Sequence, residues 1–442
     1  METRPLRPLF LSYLFPAMIG MLLMSVNILV DGVFVSNGIG PTALAAVNIA
    51  VPIFSVLLSI SLWIGVGGAT LYSIELGRSD IQKARRIFTL SFVMMVGIVT
   101  IIIAFLLMNM EAIAYLFGAN EDTMPYVKDY LRIILLFGIV YTFENLFSIF
   151  IRNDGNPNLA MAGLIVTSVL NIVLNYLFIF KLNYGMTGVA LATVLSTLIG
   201  TTVLCAHFFL KRSQLKFAPK FFSRRIAIKI LGIGLPSFIV EASFAIMVVL
   251  YNITFLHYLG TEGVTAYAMI NYIHVVLLMF FLGIGMALQP LVSYHYGAKL
   301  VERMFGLLKI AVVTALILGG ATTLLGVVFS SAIMKVFGDA PTIVRELTEN
   351  GFKHFAIGYL FLGVNMVLAE FFQSIERIRL ATIIILLRSL VLFIPLLVIL
   401  PMFFGEKVIW WVFPITEGIT MLLIILYLYL FRKTSFILRK EN

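Results

Sequence analysis

The sequence is poor in charged residues, has a single cysteine and lacks nucleotide-binding and metal-binding motifs. Only 12% of its 442 residues are charged, about half of the roughly 25% typical of soluble domains. Such a chain cannot cover a water-facing surface, so a soluble enzyme, a disordered chain and a nucleic-acid-binding domain are excluded despite a net charge of +10. The lone Cys205 excludes a disulfide within the chain and a cysteine-based metal site.

Signals for catalysis are also missing. No GxxxxGK[ST] loop occurs, and the glycine-rich run GVGGAT has no lysine after it, so this chain alone is not expected to use ATP. The five histidines have neither metal-ligand spacing nor a catalytic partner in a motif. We therefore predict no enzymatic activity, no metal site, no cofactor and no nucleic-acid partner.

Hydrophobic residues make up 61% of the chain, and they fall into about twelve apolar stretches separated by short polar breaks. A membrane-spanning helix needs roughly 20 apolar residues, which these stretches supply. Membrane β-barrels alternate apolar and polar residues, whereas runs such as 383–387 and 422–426 are continuously apolar. The first apolar run contains Pro16 and Asp31 and is not a cleaved signal peptide. The sequence predicts an all-α integral membrane protein with twelve transmembrane helices.

Basic residues concentrate in one set of connectors, from Arg4 and Arg7 through the cluster 211–229 to Arg432 near the C-terminus. The opposite connectors are acidic, with Glu111 and Asp339 among their residues. The bias of Lys and Arg toward cytoplasmic loops places both termini in the cytoplasm. Membrane lipids, anionic ones included, are expected to contact these basic connectors.

The two halves of the chain resemble each other. Corresponding prolines and glycines recur 220 positions apart, in the pairs Pro16 and Pro236, Gly40 and Gly260, and Gly118 and Gly338. The longest polar linker, 211–225, separates the halves, so we predict a six-helix N-terminal lobe at 1–215 and a six-helix C-terminal lobe at 216–442. Six helices per half give a parallel repeat, which is common in secondary transporters.

Polar side chains inside the apolar spans are the candidate functional residues of the first half, because a charge there costs on the order of 3 kcal/mol unless it is paired or hydrated. Asp31 could carry a proton reversibly, or could cap a helix end among lipid headgroups. Asn171 and Asn175 lie four apart on one helix face and could bind a cation or tie helices together. Glu144 is a second candidate carboxylate, with structural pairing as the alternative.

In the second half, Glu241, Glu370 and Arg388 lie within apolar spans and form an alternative coupling site. Arg388 needs a partner or a water-filled cavity, and Glu370 or Glu241 would be its partner in a structural tie or an ion pathway. Glu75 and Glu417 lie nearer to span ends, and we interpret them as solvated or capping. Large aromatic and flexible Met side chains near the acids could line a substrate cavity: Tyr141, Phe147, Phe244, Met247, Tyr251 and Met279.

The motifs of the sequence resemble those of the multidrug and toxic compound extrusion (MATE) family, in particular its MepA-like bacterial branch. The N-terminal half contains VDGVFVSNGIGPTALAAVNIAVPI, IRNDGNPNLAMAG, NIVLNYLFIF and GMTGVALAT, and the C-terminal half contains GIGMALQPLVSYHYGAK, LLRSLVLFIPLLVILP and WWVFPITEG. The resemblance runs from about Pro16 to Gly418, which is nearly the whole chain.

This resemblance implies two pseudo-symmetric six-helix lobes around a central cleft that opens alternately to the two sides of the membrane. The family's first-helix Asp corresponds to Asp31, its hinge proline to Pro16, its fifth-helix Asn to Asn171 and the Thr of ALAT to Thr193. Many relatives have Asp where this chain has Asn175, so coupling would rest on Asp31, with Glu144 assisting, or on the other lobe.

The predicted function is export of amphipathic, often cationic small molecules in antiport with H+ or Na+, by a monomer in the bacterial cytoplasmic (inner) membrane. A flippase for lipid-linked precursors has a similar architecture and is the alternative. It would need a strongly basic cavity, whereas Arg388 is the only clearly intramembrane basic residue. A channel or scaffold without transport would show no dependence on a counter-ion.

Overall fold

A computed structural model describes residues 2–334 and 341–430, and within these ranges it consists of helices without any β-strand. The helices of the first part are α1 (Leu6–Gly38), α2 (Pro41–Gly77), α3 (Ile81–Met108), α4 (Met110–Leu116), α5 (Met124–Leu136), α6 (Gly138–Asn153), α7 (Pro157–Tyr176) and α8 (Gly185–Cys205). The remaining helices are α9 (Arg224–Gly297), α10 (Val301–Val328), α11 (Ser330–Met334), α12 (Thr342–Phe355), α13 (Tyr359–Ser374), α14 (Ile378–Leu386), α15 (Phe393–Phe404) and α16 (Val412–Leu430). Gly338, Asp339 and Arg432, which entered the repeat and charge arguments, lie outside the described residues.

The described helices account for twelve membrane spans. Ten helical segments are long and apolar enough to cross a bilayer, and α5 with α6, bent by 53° at Phe137, forms an eleventh span. At 1.5 Å per residue, the 74 residues of α9 would extend roughly 110 Å, far beyond a hydrocarbon core of about 30 Å. The backbone of α9 leaves the helical region at Gly260, so α9 supplies two spans.

Gly40 and Gly260 occupy equivalent positions in the two halves. Gly40, with φ of 131°, separates α1 from α2, and Gly260, with φ of 65°, breaks α9 between its two spans. Positive φ is open to glycine because it has no Cβ. The predicted pairing of these two glycines is therefore confirmed by the backbone, which uses both to end the first span of a half.

A π-helical turn occurs in the fifth span of each half. The turn Leu177–Lys181 follows α7, and the turn Leu387–Val391 follows α14. Such turns widen a helix locally and are frequent at functional sites. Each lies beside a polar candidate, because Asn175 precedes the first turn by two residues and Arg388 lies within the second.

The chain forms two compact units. The first contains Met1–Phe238, Met286–Leu307 and Gln373–Glu376, and the second contains Ile239–Gly285, Leu308–Phe372 and Arg377–Asn442. The polar mid-chain linker belongs to the first unit and is bound there through its backbone. Gln214 N donates to Asp154 Oδ2 at 2.9 Å, and Ala218 N donates to Thr89 Oγ1 at 2.9 Å. The lobe boundary between residues 215 and 216 stays a prediction.

Within the first unit, α2 crosses the two ends of α9. Glycines at these crossings allow the two helix backbones to come into direct contact. A Cβ on Gly67 would overlap the carbonyl oxygen of Ile230, and a Cβ on Gly234 would overlap that of Trp63. Gly77 and Gly297 form a second crossing of the same kind, against Tyr294 and Ile74. Small residues allow this close approach of helices in membrane proteins, where packing replaces the hydrophobic driving force.

We expect Gly67→Ala to lower the thermal unfolding midpoint of the purified protein. The added methyl meets backbone, which cannot swing away, and overpacking of this kind typically costs about 1–3 kcal/mol. Gly97→Ala on α3 is the matched control, because nothing lies within 4 Å of the Cβ it would add. Differential scanning fluorimetry of the detergent-solubilised variants measures the difference. Equal midpoints for the two variants would contradict the close crossing.

Candidate functional site

A chain of hydrogen bonds joins Asp31 on α1 to α7 and α8. Asn175 Nδ2 donates to Asp31 Oδ1 at 2.7 Å and to Asn171 Oδ1 at 3.0 Å. Asn171 Nδ2 donates in turn to Thr193 Oγ1 at 3.3 Å, and that hydroxyl donates to the carbonyl of Val189. The structure thus brings together four of the five residues predicted for the first-lobe site. The i,i+4 spacing of Asn171 and Asn175 places both amides on the face toward α1.

Two amide oxygens near Asp31 have no hydrogen-bond partner among the described residues. They are Oδ1 of Asn175, which is fully buried, and Oδ1 of Asn27. A buried acceptor left unsatisfied costs about 1–3 kcal/mol, and it can be satisfied by an O–H group or a cation. Asn27 was not predicted as a site residue. The i,i+4 rule that pairs Asn171 with Asn175 would also have paired Asn27 with Asp31 on α1.

The Thr193 end of this chain of hydrogen bonds borders a small cavity inside the first unit. It has a volume of about 30 Å³, and its lining includes Thr193, Thr197, Tyr141 and Phe54. This volume is large enough to hold a water molecule. The predicted cavity residue Tyr141 thus lines the same cavity as Thr193, whose hydroxyl is the last in the chain of hydrogen bonds from Asp31.

Glu144 forms a second carboxylate site in the first unit, close to the same helices. Its side chain is buried and accepts a short hydrogen bond from Thr167 Oγ1 on α7. Throughout the part of the chain that the structure describes, neither Glu144 nor Asp31 forms an ion pair. Both carboxyl groups are therefore held by neutral donors. The described residues also contain no group of three or more His, Cys, Asp or Glu side chains that could hold a metal.

Arg388 in the second unit is bound to Glu417. Its Nη2 lies 2.6 Å from Glu417 Oε1, and its Nε donates to both carboxylate oxygens at 3.0 and 3.3 Å. Asn365 Nδ2 donates to Glu417 Oε2 at 2.7 Å and to the backbone carbonyl of Glu417 at 2.9 Å. Glu417 is 1% exposed, so its interpretation as solvated or capping is wrong. Its carboxylate neutralises a guanidinium on the neighbouring helix.

The interpretation of Glu75 as solvated or capping is wrong for a related reason. This residue lies in the last turn of α2, yet it is 1% exposed. Its Oε1 accepts from Arg78 Nη1 and from Lys83 Nζ, both at 2.8 Å. Arg78 in the connector and Lys83 in the first turn of α3 thus compensate the charge of this buried carboxylate.

The two other candidate acids of the second unit lie in different surroundings. Glu241 is partly buried, and it has no hydrogen bond or ion pair with any described residue. Glu370 lies beside Gly285, with its Oε2 3.7 Å from the position that a Cβ on Gly285 would take. Their predicted role in coupling stays a prediction.

The predicted substrate-cavity residues lie in aromatic surroundings. In the first unit, Phe147 stacks on Phe92 and Phe143, with ring centroids 6.0 and 5.9 Å apart. In the second unit, Tyr251 is 2% exposed and packs against a group of rings: Phe255, Tyr267, Phe355 and Phe393. Phe244 stacks on His274, while Met247 and Met279 are partly buried. Contact of these side chains with substrate stays a prediction.

Pro16 lies inside α1, about four turns before Asp31. Proline has no N–H and clashes with the carbonyl four residues earlier, which weakens a helix at that point. The structure shows α1 as one helix across Pro16, with the proline buried. The hinge role assigned to Pro16 stays a prediction.

The chain matches the protein-family model described as MatE twice, over residues 16–177 and 236–399. The matched segments begin 220 residues apart, which is the offset of the predicted repeat. Among its relatives is the multidrug export protein MepA of Staphylococcus saprophyticus, 25% identical over 94% of this chain and 92% of the relative. The MepA protein of Staphylococcus aureus strain MSSA476 is 24% identical over 98% of this chain and 95% of its own.

Solved structures give the same fold. A MOP superfamily transporter from Pyrococcus furiosus superposes with a TM-score of 0.90 at 23% identity, covering 98% of this chain and 96% of that one. A multidrug resistance MATE family transporter in an outward-facing conformation gives a TM-score of 0.89 at 23% identity, over 96% and 95% of the two chains. The predicted fold, twelve transmembrane helices in two six-helix lobes, is confirmed. The chain belongs to the MatE family, the MATE transporters that its motifs resemble.

Proposed function

We propose that this protein exports amphipathic, often cationic compounds across the bacterial cytoplasmic membrane in antiport with H+, or with Na+, by alternating access. The family and the export function in the names of its MepA relatives support export. One observation carries the proposal for coupling: among the described residues, Asp31 is bound only by a neutral amide, and it lies next to unsatisfied amide oxygens. A proton or a cation bound at such a site would complete its bonding.

In the proposed cycle, the ionised Asp31 favours the state that holds a cationic substrate. A proton arriving from outside cancels this charge, and the protonated carboxyl becomes an O–H donor. The Asn175 amide can then turn its unsatisfied Oδ1 toward that O–H, so the bond between α1 and α7 reverses its polarity. Rearrangement of α1 near Pro16 would follow and release the substrate. A proton shifts the equilibrium because it binds the two states with different affinity.

Sodium could use the same site, because carboxylate and amide oxygens are the ligands that hard cations prefer. Asp31, Asn27 and Asn175 together offer such oxygens on α1 and α7. The flippase alternative is not supported by charge, since the guanidinium of Arg388 is already neutralised by Glu417. We therefore place coupling in the first unit.

The test is efflux of ethidium from proteoliposomes under an imposed pH gradient or an imposed Na+ gradient. Efflux driven by the pH gradient supports H+ antiport, and efflux driven by Na+ alone supports Na+ antiport. Absence of efflux of ethidium and other lipophilic cations under both gradients would contradict the proposed function. Liposomes without protein and with protein but no gradient are the controls.

We expect Asn175→Leu to reduce gradient-driven efflux about tenfold or more. The substitution removes the one donor to Asp31 that the described part of the chain provides, and also the link to Asn171. A hydrogen bond to a charged group contributes about 1.5–3 kcal/mol. Asn145→Leu on α6 is the matched control, because the Asn145 amide bonds to the carbonyl of Tyr141 on its own helix. Initial ethidium efflux rates at equal amounts of reconstituted protein measure the effect. Similar rates for Asn175→Leu and wild type would show that Asp31 works without its amide partner.

A further inference from the structure

A second cavity lies in the first unit, at the end of the molecule where α1 begins. Its volume is about 350 Å³, within the roughly 300–1,000 Å³ of ligand pockets. It is open to the surface and is lined by the start of α1, the turn between α6 and α7, and the beginning of the mid-chain linker. The lining residues are Arg4, Leu9, Ser12, Tyr13, Gly155, Asn156, Pro157, Asn158 and Arg212. The lining thus contains two arginines and no acidic residue.

The guanidinium groups of Arg4 and Arg212 have no hydrogen bond or ion pair with any residue that the structure describes. The carboxylates nearest in sequence to the lining residues are those of Glu2 and Asp154, and both already accept hydrogen bonds, Glu2 from Tyr294. Asp154 Oδ1 accepts from Tyr72 at 2.7 Å, and Oδ2 accepts from His207 Nε2 at 2.7 Å and from Gln214 N. The two arginines thus border the cavity, and no acidic residue is among its lining residues.

The N-terminus of α7 adds backbone donors to the same cavity. Asn156 is in the N-cap position, where an asparagine side chain usually accepts from the first free N–H groups. Here it makes no such bond, and its Nδ2 lies 3.3 Å from His207 Nδ1. Pro157 has no N–H, so the N–H of Asn158 is the first free donor of a 20-residue helix. Helix N-termini of this kind favour anions.

Tyr13 is the independent indication of a ligand. This residue is 3% exposed and lines the cavity, yet its hydroxyl forms no hydrogen bond with a described residue. The hydroxyl faces the cavity, where it can donate to a bound group.

We propose that this cavity binds a phosphate group, held by Arg4, Arg212, the Tyr13 hydroxyl and the N-terminus of α7. A phosphate offers several oxygens to donors that converge from different directions, and arginine pairs with it through two parallel hydrogen bonds. The phosphate belongs either to the headgroup of an anionic phospholipid or to a phosphate compound in solution. The site is independent of the coupling site at Asp31, which lies far along α1.

Delipidated full-length protein is titrated in three separate calorimetric experiments, with inorganic phosphate, with dihexanoyl phosphatidylglycerol and with dihexanoyl phosphatidylcholine. The test variant is Arg4→Gln/Arg212→Gln. The control is Arg7→Gln/Lys211→Gln, which removes the same charge from exposed neighbouring positions that do not line the cavity. We expect the test variant to weaken binding about tenfold or more, the scale of one charge-assisted hydrogen bond, and the control to bind like wild type.

Binding of phosphatidylglycerol alone identifies a lipid headgroup as the source, and binding of inorganic phosphate identifies a soluble one. If the test and control variants lose the same amount of affinity, surface charge alone explains the effect, and the proposal is overturned. Absence of binding of all three ligands to wild type would also overturn it. Phosphatidylcholine carries the same phosphodiester beside a cationic choline, so we expect it to bind more weakly than phosphatidylglycerol. If the double arginine variant does not fold, Tyr13→Phe decides, because it removes only one hydroxyl. Unchanged affinity in Tyr13→Phe then overturns the proposal.

Discussion

Asp31→Asn is expected to fold and to lose ethidium efflux driven by a pH gradient, by about a hundredfold or to the rate of empty liposomes. Asparagine matches aspartate in size and can still accept from Asn175 Nδ2, so the contact of α1 with α7 is kept. The side chain can no longer change charge, however. A charge inside the membrane is worth on the order of 3 kcal/mol, which corresponds to about a hundredfold in an equilibrium.

The matched control is Asp129→Asn, the same substitution at an exposed position of α5. It is expected to transport like wild type. Glu144→Gln is expected to reduce efflux less than Asp31→Asn does. Glu144 bonds to Thr167 and does not take part in the chain of hydrogen bonds that links α1, α7 and α8. Full pH-driven efflux in Asp31→Asn would remove this residue from coupling. Efflux that follows Na+ and survives in this variant would move the coupling site to Glu241 and Glu370.

The fold could be predicted from the sequence because each signal has a local cause. The apolar stretches have the length that a bilayer requires, and the recurrence of glycine at residues 40 and 260 reflects a backbone conformation that other residues avoid. The spacing of Asn171 and Asn175 placed both amides on one helix face, where the structure finds them bonded to each other. None of these inferences needs knowledge of which helices are neighbours.

The pairing of Arg388 could not be predicted, because it depends on helix neighbours. The sequence offered several acids within apolar spans, and hydropathy placed Glu417 too close to a span end to be chosen. In the structure, the span containing α14 packs beside α16, and Glu417 lies within reach of the guanidinium. The role of the linker was missed for the same reason, since its polar composition does not reveal that Asp154 and Thr89 bind its backbone.

Glu417→Gln is expected to lower the thermal unfolding midpoint by roughly 10 °C. The substitution leaves the Arg388 guanidinium, whose side chain is 13% exposed, without a compensating charge. Removal of one partner of a buried ion pair costs about 3–5 kcal/mol, whereas replacement of both by apolar groups is often neutral. Arg388→Met/Glu417→Met should therefore recover most of the loss, since Asn365 keeps its bond to the Glu417 backbone carbonyl. Glu111→Gln, in the exposed pair with Lys128, is the control and should change little.

Transport by the double methionine variant separates a structural tie from an ion pathway. Glu417 accepts from Arg388 through both oxygens and from Asn365 as well, so its bonding is complete without a transported ion. Among the described residues, Asp31 has a single neutral donor and unsatisfied oxygens nearby, so a transported ion could still add to its bonding. We therefore expect the folded double variant to retain ethidium efflux within about threefold of wild type, on the scale of an exposed ion pair. If the double variant unfolds at the wild-type temperature but does not transport ethidium, part of the coupling depends on Arg388 and Glu417.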